Sequence, residues 1–232
     1  MKKIIDEYRD LMQTVSPFLM TTMVLSIVGM NLLANKSIDT GLEWLALDCG
    51  ILLSWMTFLS MDVMTHCYGP RAATMMCILS LLFNLLMALV FFIAGCLPGF
   101  WGESFAFESF EEINTALDNT ISGTWYIIMG SSIAFLVSSI VNNFLNYGIG
   151  KSLTQKDGFG VFALRSYVST FIGQFTDNIV FAFIVSRVFF GWTTVQCLTC
   201  ALTGACLELL FEVFFSPVGY RASRAILREE TK

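Results

Sequence analysis

Carboxylate and carboxamide side chains recur at helical spacing within one apolar stretch of the chain. Gln174, Asp177 and Phe181 are separated by three and four residues, so a helix would carry them on one face. The same face would also carry Thr170, Gly173 and Asn178. A carboxylate accepts hydrogen bonds and a carboxamide both donates and accepts them, so this face could bind a polar solute. The alternative is a polar stripe that joins neighbouring helices, although an acidic group is a costly way to do so in lipid.

Other apolar stretches of the chain also contain polar and ionisable residues. These are Asp48, Asp62, Asn142, Asn143, Glu208 and Glu212. A charge at the centre of a transmembrane helix costs about 2.5–3.5 kcal/mol on insertion scales, so such residues usually face a cavity or a partner. Asn142 and Asn143 could pair with the edge of a heterocycle or with neighbouring helices. Glu208 and Glu212 could bind a cation, couple to protons, or neutralise a basic residue such as Arg165.

Motifs for catalysis or metal binding are weak in this sequence. His66 is the one histidine, and an interfacial polar residue, a proton carrier and a ligand contact are its three interpretations. Cys197 and Cys200 have C-x-x-C spacing, but neither a second cysteine pair nor a nearby histidine completes a zinc site. Residues 150–152 (GKS) resemble the end of a phosphate-binding loop, but Leu145 stands where the leading glycine would be. We therefore expect no metal, no cofactor and no enzymatic activity.

The composition indicates a membrane protein. The chain is 56% hydrophobic and 13% charged, against about 25% charged in soluble domains, and its mean hydropathy is +0.70. A transmembrane helix needs about 20 apolar residues. Six stretches qualify: 17–34, 43–60, 72–95, 123–148, 167–190 and 194–215. Gly69–Pro70, between the second and third stretches, predicts a turn that would end a helix. The prediction is an all-α integral membrane bundle of six transmembrane helices that forms a single domain over residues 1–232.

The distribution of lysine and arginine predicts the orientation of this bundle. One side would hold Lys2, Lys3, Arg9, Arg71, Lys151, Lys156, Arg165, Arg221, Arg224, Arg228 and Lys232. The other side would hold Lys36 and Arg187, so both termini should be cytoplasmic. The 96–122 segment lacks basic residues and carries Glu103, Glu108, Glu111, Glu112 and Asp118. It should face outward, either as a solvated acidic loop or as a lid.

Three blocks of residues resemble a known family. Residues 62–69 (DVMTHCYG) are similar to its D-x-x-T-E-x-Y-G motif, and residues 138–142 (SSIVN) to its S-Q-x-x-D motif. Residues 165–181 (RSYVSTFIGQFTDNIVF) are similar to R-x-x-x-S followed by G-Q-x-x-D-T-x-x-F. The chain thus resembles the vitamin uptake transporter family, specifically its queuosine precursor transporters, over roughly residues 40–220. It departs from the motifs at His66, where the family has glutamate, and at Asn142, where it has aspartate.

The resemblance implies a substrate and a fold. The substrate would be a 7-deazapurine (preQ0, preQ1 or queuine) that is salvaged for tRNA modification, with no nucleic acid as partner. The fold would be similar to the substrate-binding components of energy-coupling-factor transporters, in the inner membrane of a bacterium. The alternative function is a substrate-binding subunit of such an ATP-driven transporter. Gly130, Ser131 and Ala134 could support a homodimer or could pack within one bundle.

A 7-deazapurine substrate suggests roles for individual residues. Asp177 could accept hydrogen bonds from the amino and ring N–H groups, and Gln174 or Asn142 could bond to the carbonyl group. A cationic substituent would favour a second acid, Asp62 or Glu208. The remaining candidates are Asn143 and Arg165, together with four aromatic residues that could stack on the rings: Trp55, Trp125, Tyr126 and Phe181.

Overall fold

The computed structural model describes residues 2–102, 110–153 and 158–229. Its helices are α1 (Lys2–Thr14), α2 (Pro17–Leu33), α3 (Ile51–Cys96), α4 (Phe110–Ser152), α5 (Phe159–Phe181), α6 (Arg187–Phe189) and α7 (Thr194–Glu229). A π-helical segment, Ala182–Ser186, joins α5 to α6. Two short antiparallel strands, β1 (Ser37–Ile38) and β2 (Leu47–Asp48), pair with Ser37 opposite Asp48. Glu103, Glu108, Lys156 and Lys232 lie outside the described residues.

The longest helix, α3, folds back on itself at the predicted Gly69–Pro70 turn. Gly69 has φ +84° and ψ 168°, a backbone conformation that other residues rarely adopt. The Met61 and Cys77 sulfur atoms lie 3.2 Å apart. Sixteen residues of a straight helix would span about 24 Å, so the two halves of α3 lie side by side and form a helical hairpin.

The count of six helices that the sequence predicts matches the structure. Within the described residues, four helices are long and apolar enough to cross a membrane, or five if the bent pair Asp6–Thr14 and Pro17–Leu33 is one span. The six segments are α2, the two halves of α3, α4, the continuous rod Phe159–Phe189, and α7. Length and composition thus agree with a membrane bundle.

The predicted second span, 43–60, is wrong at both ends. Residues 43–50 are not helical, and α3 begins at Ile51 and continues beyond residue 60 to the Gly69 turn. The apolar residues Ala46 and Leu47 belong instead to the β1–β2 hairpin and pack against Trp192 and Cys197, at the beginning of α7. Hydropathy could not distinguish this packing from lipid contact, because both bury apolar surface.

Three other predicted boundaries also differ from the structure. The 96–122 segment is not one loop, because α4 already begins at Phe110. The Trp101 indole donates a hydrogen bond to Asp118 Oδ1 at 2.8 Å, so the described part of this loop is tied to α4. The fifth segment starts at Phe159 instead of residue 167, and α7 continues past residue 215 to Glu229.

The bundle has two ends, of which one lies where α1 meets the α3 turn. We call it the basic end after Arg71, which bonds to both carboxylate oxygen atoms of Glu7 at 2.9 Å each. Cys67 Sγ is 3.6 Å from the Ser223 carbonyl oxygen, which brings the C-terminal part of α7 to this basic end. The opposite end carries the β1–β2 hairpin and the start of α7, and we call it the hairpin end.

Small residues pack within the bundle. A Cβ added to Gly130 would lie 2.1 Å from Val185 Cγ2, and Ser131 and Ala134 are buried. These three residues therefore serve contacts inside the chain, and a homodimer remains a prediction without a surface assigned to it. Large apolar side chains such as Phe92, Phe144 and Phe214 are exposed along the helices, as expected where a bundle faces lipid.

The close contact at Gly173 should limit the size of that residue. An added Cβ would lie 2.9 Å from the Phe58 ring and 3.0 Å from Asn142 Cβ. We expect Gly173→Ala to lower the melting temperature of the detergent-purified protein, because overpacking costs about 1–3 kcal/mol. Gly148→Ala is the control, since nothing lies within 4 Å of that position. A Gly173→Ala protein as stable as wild type would contradict this packing.

Candidate functional site

The polar face of α5 points into the bundle, as its spacing predicts. Ser166, Thr170 and Gln174 are fully buried, and Asp177 is 9% exposed. α5 packs between α4 and α7, so this face can reach side chains of both helices. We call this face, from Ser166 to Asp177, the α5 stripe. Two clusters of polar side chains lie along it, one toward the hairpin end and one toward the basic end.

The group toward the hairpin end surrounds a cavity of about 50 Å³, which we call the chamber. Six elements supply its polar lining: Asn31 (α2), Asp48 (β2), Ser54 (α3), Ser131 (α4), Asp177 and Asn178 (α5), and Glu208 (α7). Phe181, Met30 and Cys200 complete the apolar side. Ligand sites usually measure about 300–1,000 Å³, so the chamber is contracted in this structure.

The chamber acids are held by neutral donors from other helices. Ser138 donates to Asp177 Oδ1 at 2.8 Å, and Asn178 Nδ2 donates to Glu208 Oε2 at 3.1 Å. Ser54 donates to the other oxygen of Glu208. These bonds orient the carboxyl groups and leave them without a bonded basic side chain among the described residues. A guest that carries N–H groups or a positive charge would complement this lining.

The carboxamide of Gln174 has no hydrogen-bond partner within the described structure. The residue is fully buried, and both Nε2 and Oε1 are unpaired. Gln174 precedes Asp177 by three residues on the same face, so it lies about one helical turn from the chamber. An unpaired buried polar group costs about 1–3 kcal/mol. The structure thus leaves a buried donor and a buried acceptor about one helical turn from the chamber.

A second polar group, which we call the carboxyl pair, lies toward the basic end. It consists of Asp62 (α3) and Glu212 (α7), both fully buried. Asp62 accepts hydrogen bonds from Asn142 Nδ2 at 2.9 Å and from Thr170 at 3.1 Å. Ser166 contacts both carboxyl groups. Asp62 and Asn142 are thus brought together, but away from the chamber lining.

Three further candidates also lie near the basic end. Asn143 accepts a bond from Thr65 at 3.2 Å and donates to Thr74 at 3.3 Å, so its carboxamide joins α4 to both halves of α3. The Arg165 guanidinium faces Asp62 and lies beside Gly150. His66 contacts Phe162 edge to face at 5.5 Å. The structure does not bring these side chains to the chamber.

Of the four aromatic candidates, Phe181 lines the chamber. Trp55 instead stacks on Phe215 at 4.4 Å and borders an apolar groove between α2, α3 and α7. Trp125 is 49% exposed on the outside of α4. Tyr126 donates to the Ile184 carbonyl oxygen at 3.0 Å and does not border the chamber. Helical spacing could not place these rings, because the tilt and rotation of each helix depend on its neighbours.

The β1–β2 hairpin borders the chamber. It contributes Leu47 and Asp48 to the lining. Two bonds from α7 hold it: Gln196 Nε2 donates to the Glu43 carbonyl oxygen at 3.0 Å, and Thr199 donates to the Trp44 carbonyl oxygen at 2.6 Å. Hydropathy had assigned residues 43–48 of this hairpin to a span, whereas the structure places Leu47 and Asp48 at the chamber. Whether the 96–122 segment is a solvated loop or a lid stays a prediction, because residues 103–109 lie outside the described part of the chain.

Asp48 is the chamber acid that lies outside the helices. Its Oδ1 accepts a 2.7 Å bond from the Gly50 N–H. Desolvation nevertheless raises the pKa of Asp48 to about 6, because burial penalises the charged form more than this bond favours it. The charge at the mouth of the chamber therefore changes near pH 6.

Sequence reasoning missed several chamber residues. Ser54, Ser131 and Asn31 line the cavity but carry no distinctive spacing in the sequence. A lone serine in an apolar helix is equally compatible with helix packing, so its type alone does not predict a site.

Within the described residues, no group of three or more His, Cys, Asp or Glu side chains could hold a metal ion.

The fold is an all-α bundle in which several of the described helices are long and apolar enough to cross a membrane. Residues 48–222, about three quarters of the chain, match the model of the family described as "Putative vitamin uptake transporter". The chain belongs to this family, and its class is that of a membrane transporter. No curated protein and no solved structure matches the chain.

The unpaired Gln174 carboxamide predicts an unusual effect on stability. Gln174→Met keeps the volume but removes two buried polar atoms, so we expect a melting temperature equal to or above that of wild type. Asn142→Leu should lower it, since Asp62 then loses a donor at 2.9 Å. Thermal unfolding in detergent measures both. If Gln174→Met is as destabilising as Asn142→Leu, the carboxamide has a structural role.

The raised pKa of Asp48 predicts that a neutral residue at this position increases the melting temperature by an amount that depends on pH. Its carboxyl group is protonated in the folded chain up to about pH 6 but ionises at lower pH when unfolded. Its contribution to stability is therefore lost as pH rises from about 4 to 6. We expect Asp48→Asn to raise the melting temperature more at pH 7.5 than at pH 4.5. An equal change at both pH values would show that Asp48 is not desolvated.

Proposed function

We propose that this protein imports queuosine precursors, the 7-deazapurines preQ0, preQ1 or queuine, across the inner membrane of a bacterium. The observation that carries the proposal is the buried, unpaired Gln174 carboxamide beside a chamber lined by Asp177, Asn178 and Glu208. A 7-deazaguanine edge presents two kinds of N–H donor and one carbonyl acceptor. The α5 stripe offers a carboxylate acceptor for the N–H groups and a carboxamide donor for the carbonyl group.

Four residues in or beside the chamber have roles in this proposal. Asp177 accepts from the amino and ring N–H groups, and Gln174 Nε2 donates to the carbonyl oxygen. Phe181 supplies an apolar face for stacking, which contributes about 1–3 kcal/mol for a base on an aromatic ring. Glu208 is the acid for a cationic substituent, if the guest carries one. Asp62 and Asn142 act further toward the basic end.

Transport requires that the contracted chamber open. The hairpin lies at the outer end, since positively charged loops are cytoplasmic and the opposite end is basic. Release of the bonds from Gln196 and Thr199 to the hairpin would admit a guest from outside. Movement at the basic end would then deliver it to the cytoplasm. Both termini are cytoplasmic in this arrangement.

Complementation tests the substrate class directly. A bacterial strain that cannot synthesise the precursors and lacks its own importer would express the chain, with each base supplied separately. We expect queuosine in its tRNA, measured by mass spectrometry of nucleosides, with at least one base. No queuosine with any base, despite normal protein in the membrane, would contradict the proposal.

Asp177 is the decisive residue for recognition. Asp177→Asn replaces one acceptor with a donor and removes the charge, so queuosine formation in the same strain should be lost. The level of protein in the membrane should stay unchanged, because Ser138 can still bond to the remaining oxygen. Asp10→Asn is the matched control, since Asp10 is exposed on α1. Normal uptake by Asp177→Asn would remove this residue from the site.

A further inference from the structure

The carboxyl pair has no role in base recognition, yet it is the most thoroughly buried acidic site of the bundle. Asp62 and Glu212 are both fully buried and come from different helices. Ser166, which contacts both, precedes Asp177 by eleven residues on α5, about 16 Å along the helix. The pair is therefore a separate site between the chamber and the basic end.

The two contacts of Ser166 at the carboxyl pair need one more hydrogen atom than the serine hydroxyl supplies. Ser166 Oγ is within hydrogen-bond distance of Asp62 Oδ2 and of Glu212 Oε1. A serine hydroxyl has one hydrogen to donate. It can serve only one of the two carboxyl groups, so the other contact exists as a hydrogen bond only if that carboxyl is protonated and donates to Ser166 Oγ.

The surrounding donors identify the protonated group. Asp62 also accepts from Asn142 and Thr170, so it is equipped to be ionised. Glu212 Oε1 contacts Ser166, and the Glu212 side chain also faces Thr170 and Asp62, but its Oε2 is buried without a hydrogen-bond partner among the described residues. An ionised carboxylate with an unpaired buried oxygen is far more costly than a neutral acid. The extra proton therefore belongs on Glu212.

The charge balance agrees with this assignment. Arg165 from α5 is the charged group that faces Asp62, and α4 contributes the neutral Asn142. One ionised and one neutral carboxyl group balance the single guanidinium, whereas two ionised groups would leave a net negative charge in a low dielectric. On α7, Glu208 lies one turn from Glu212 and bonds to Ser54 and Asn178 at the chamber.

We infer that Glu212 is a proton-binding site that couples import to the proton gradient. This inference rests on the proposed function, because it names the driving ion of the same transporter. Glu208 and Glu212 lie on one helix, so a shift of α7 that opens the chamber also changes the surroundings of Glu212. A proton bound from the outside is released from the Glu212 carboxyl group to cytoplasmic water, which leaves the carboxylate, and no other bond changes.

Proteoliposomes with the full-length protein separate the two proposals. Radiolabelled preQ1 is the probe, lumenal pyranine reports pH, and the membrane potential is clamped at zero. With an outside-acid gradient of about one pH unit, we expect wild type to accumulate the probe up to about tenfold at one proton per substrate. A protonophore should abolish this accumulation.

The variant Glu212→Gln mimics the protonated acid permanently. We expect it to keep the exchange of external for preloaded probe but to lose gradient-driven accumulation and lumenal acidification. Asp10→Asn should behave as wild type. Accumulation driven by a sodium gradient instead, accumulation that persists in Glu212→Gln, or mere equilibration by wild type under every gradient would each overturn the inference.

A second measurement does not depend on the substrate. Infrared difference spectra of wild type against Glu212→Gln at neutral pH should show the carbonyl-stretch band of a protonated carboxylic acid, shifted in D₂O. The absence of this band would overturn the proton site even if transport occurs. Failure of wild type to exchange preQ1, preQ0 or queuine while the band is present would instead contradict the proposed function and leave the proton site supported.

Discussion

The structure depends on one constraint, which is that acidic side chains inside an apolar bundle must find donors on other helices. Asp177 is held by Ser138 of α4, Glu208 by Ser54 of α3 and Asn178 of α5, and Asp62 by Asn142 of α4. Each acid therefore joins two or three helices. Removal of any such donor leaves a buried carboxyl group short of a partner, which links the stability of the bundle to its polar interior.

The helix α5 aligns the polar side chains of the interior along one face. Its polar stripe passes the carboxyl pair at Ser166, the unpaired Gln174, and the chamber at Asp177, so one rigid element sets the spacing of all three. Gly173 allows α5 to approach Asn142 and Phe58 closely. Large apolar side chains are exposed along the helices, whereas the acids and carboxamides of the site lie in the interior.

One border of the chamber is formed by backbone that is not helical. The hairpin of residues 37–48 can border the cavity because its ends pair with each other and α7 side chains bond to its carbonyl groups. Non-helical backbone in such a place requires partners from protein or water.

Predictions from the sequence agree with the structure where local interactions decide the outcome, and they fail where residues far apart in the chain pack together. The stripe Thr170–Gln174–Asp177 and the turn at Gly69–Pro70 were predicted correctly, because helical spacing and backbone freedom are local properties. The placement of Trp55 was not, since its ring packs on Phe215 from a distant part of the chain. The span 43–60 failed for the same reason, because the apolar residues of the hairpin serve contacts with α7.

The sequence by itself determined the membrane class, the six apolar segments and the polar face of α5, all of which follow from composition and local periodicity. Only the tertiary structure decided which acids share a cavity, that Asp62 pairs with Glu212 through Ser166, and that Gln174 has no partner within the described part of the chain. These facts depend on the rotation and approach of helices far apart in sequence, and the packing of many side chains sets that geometry collectively.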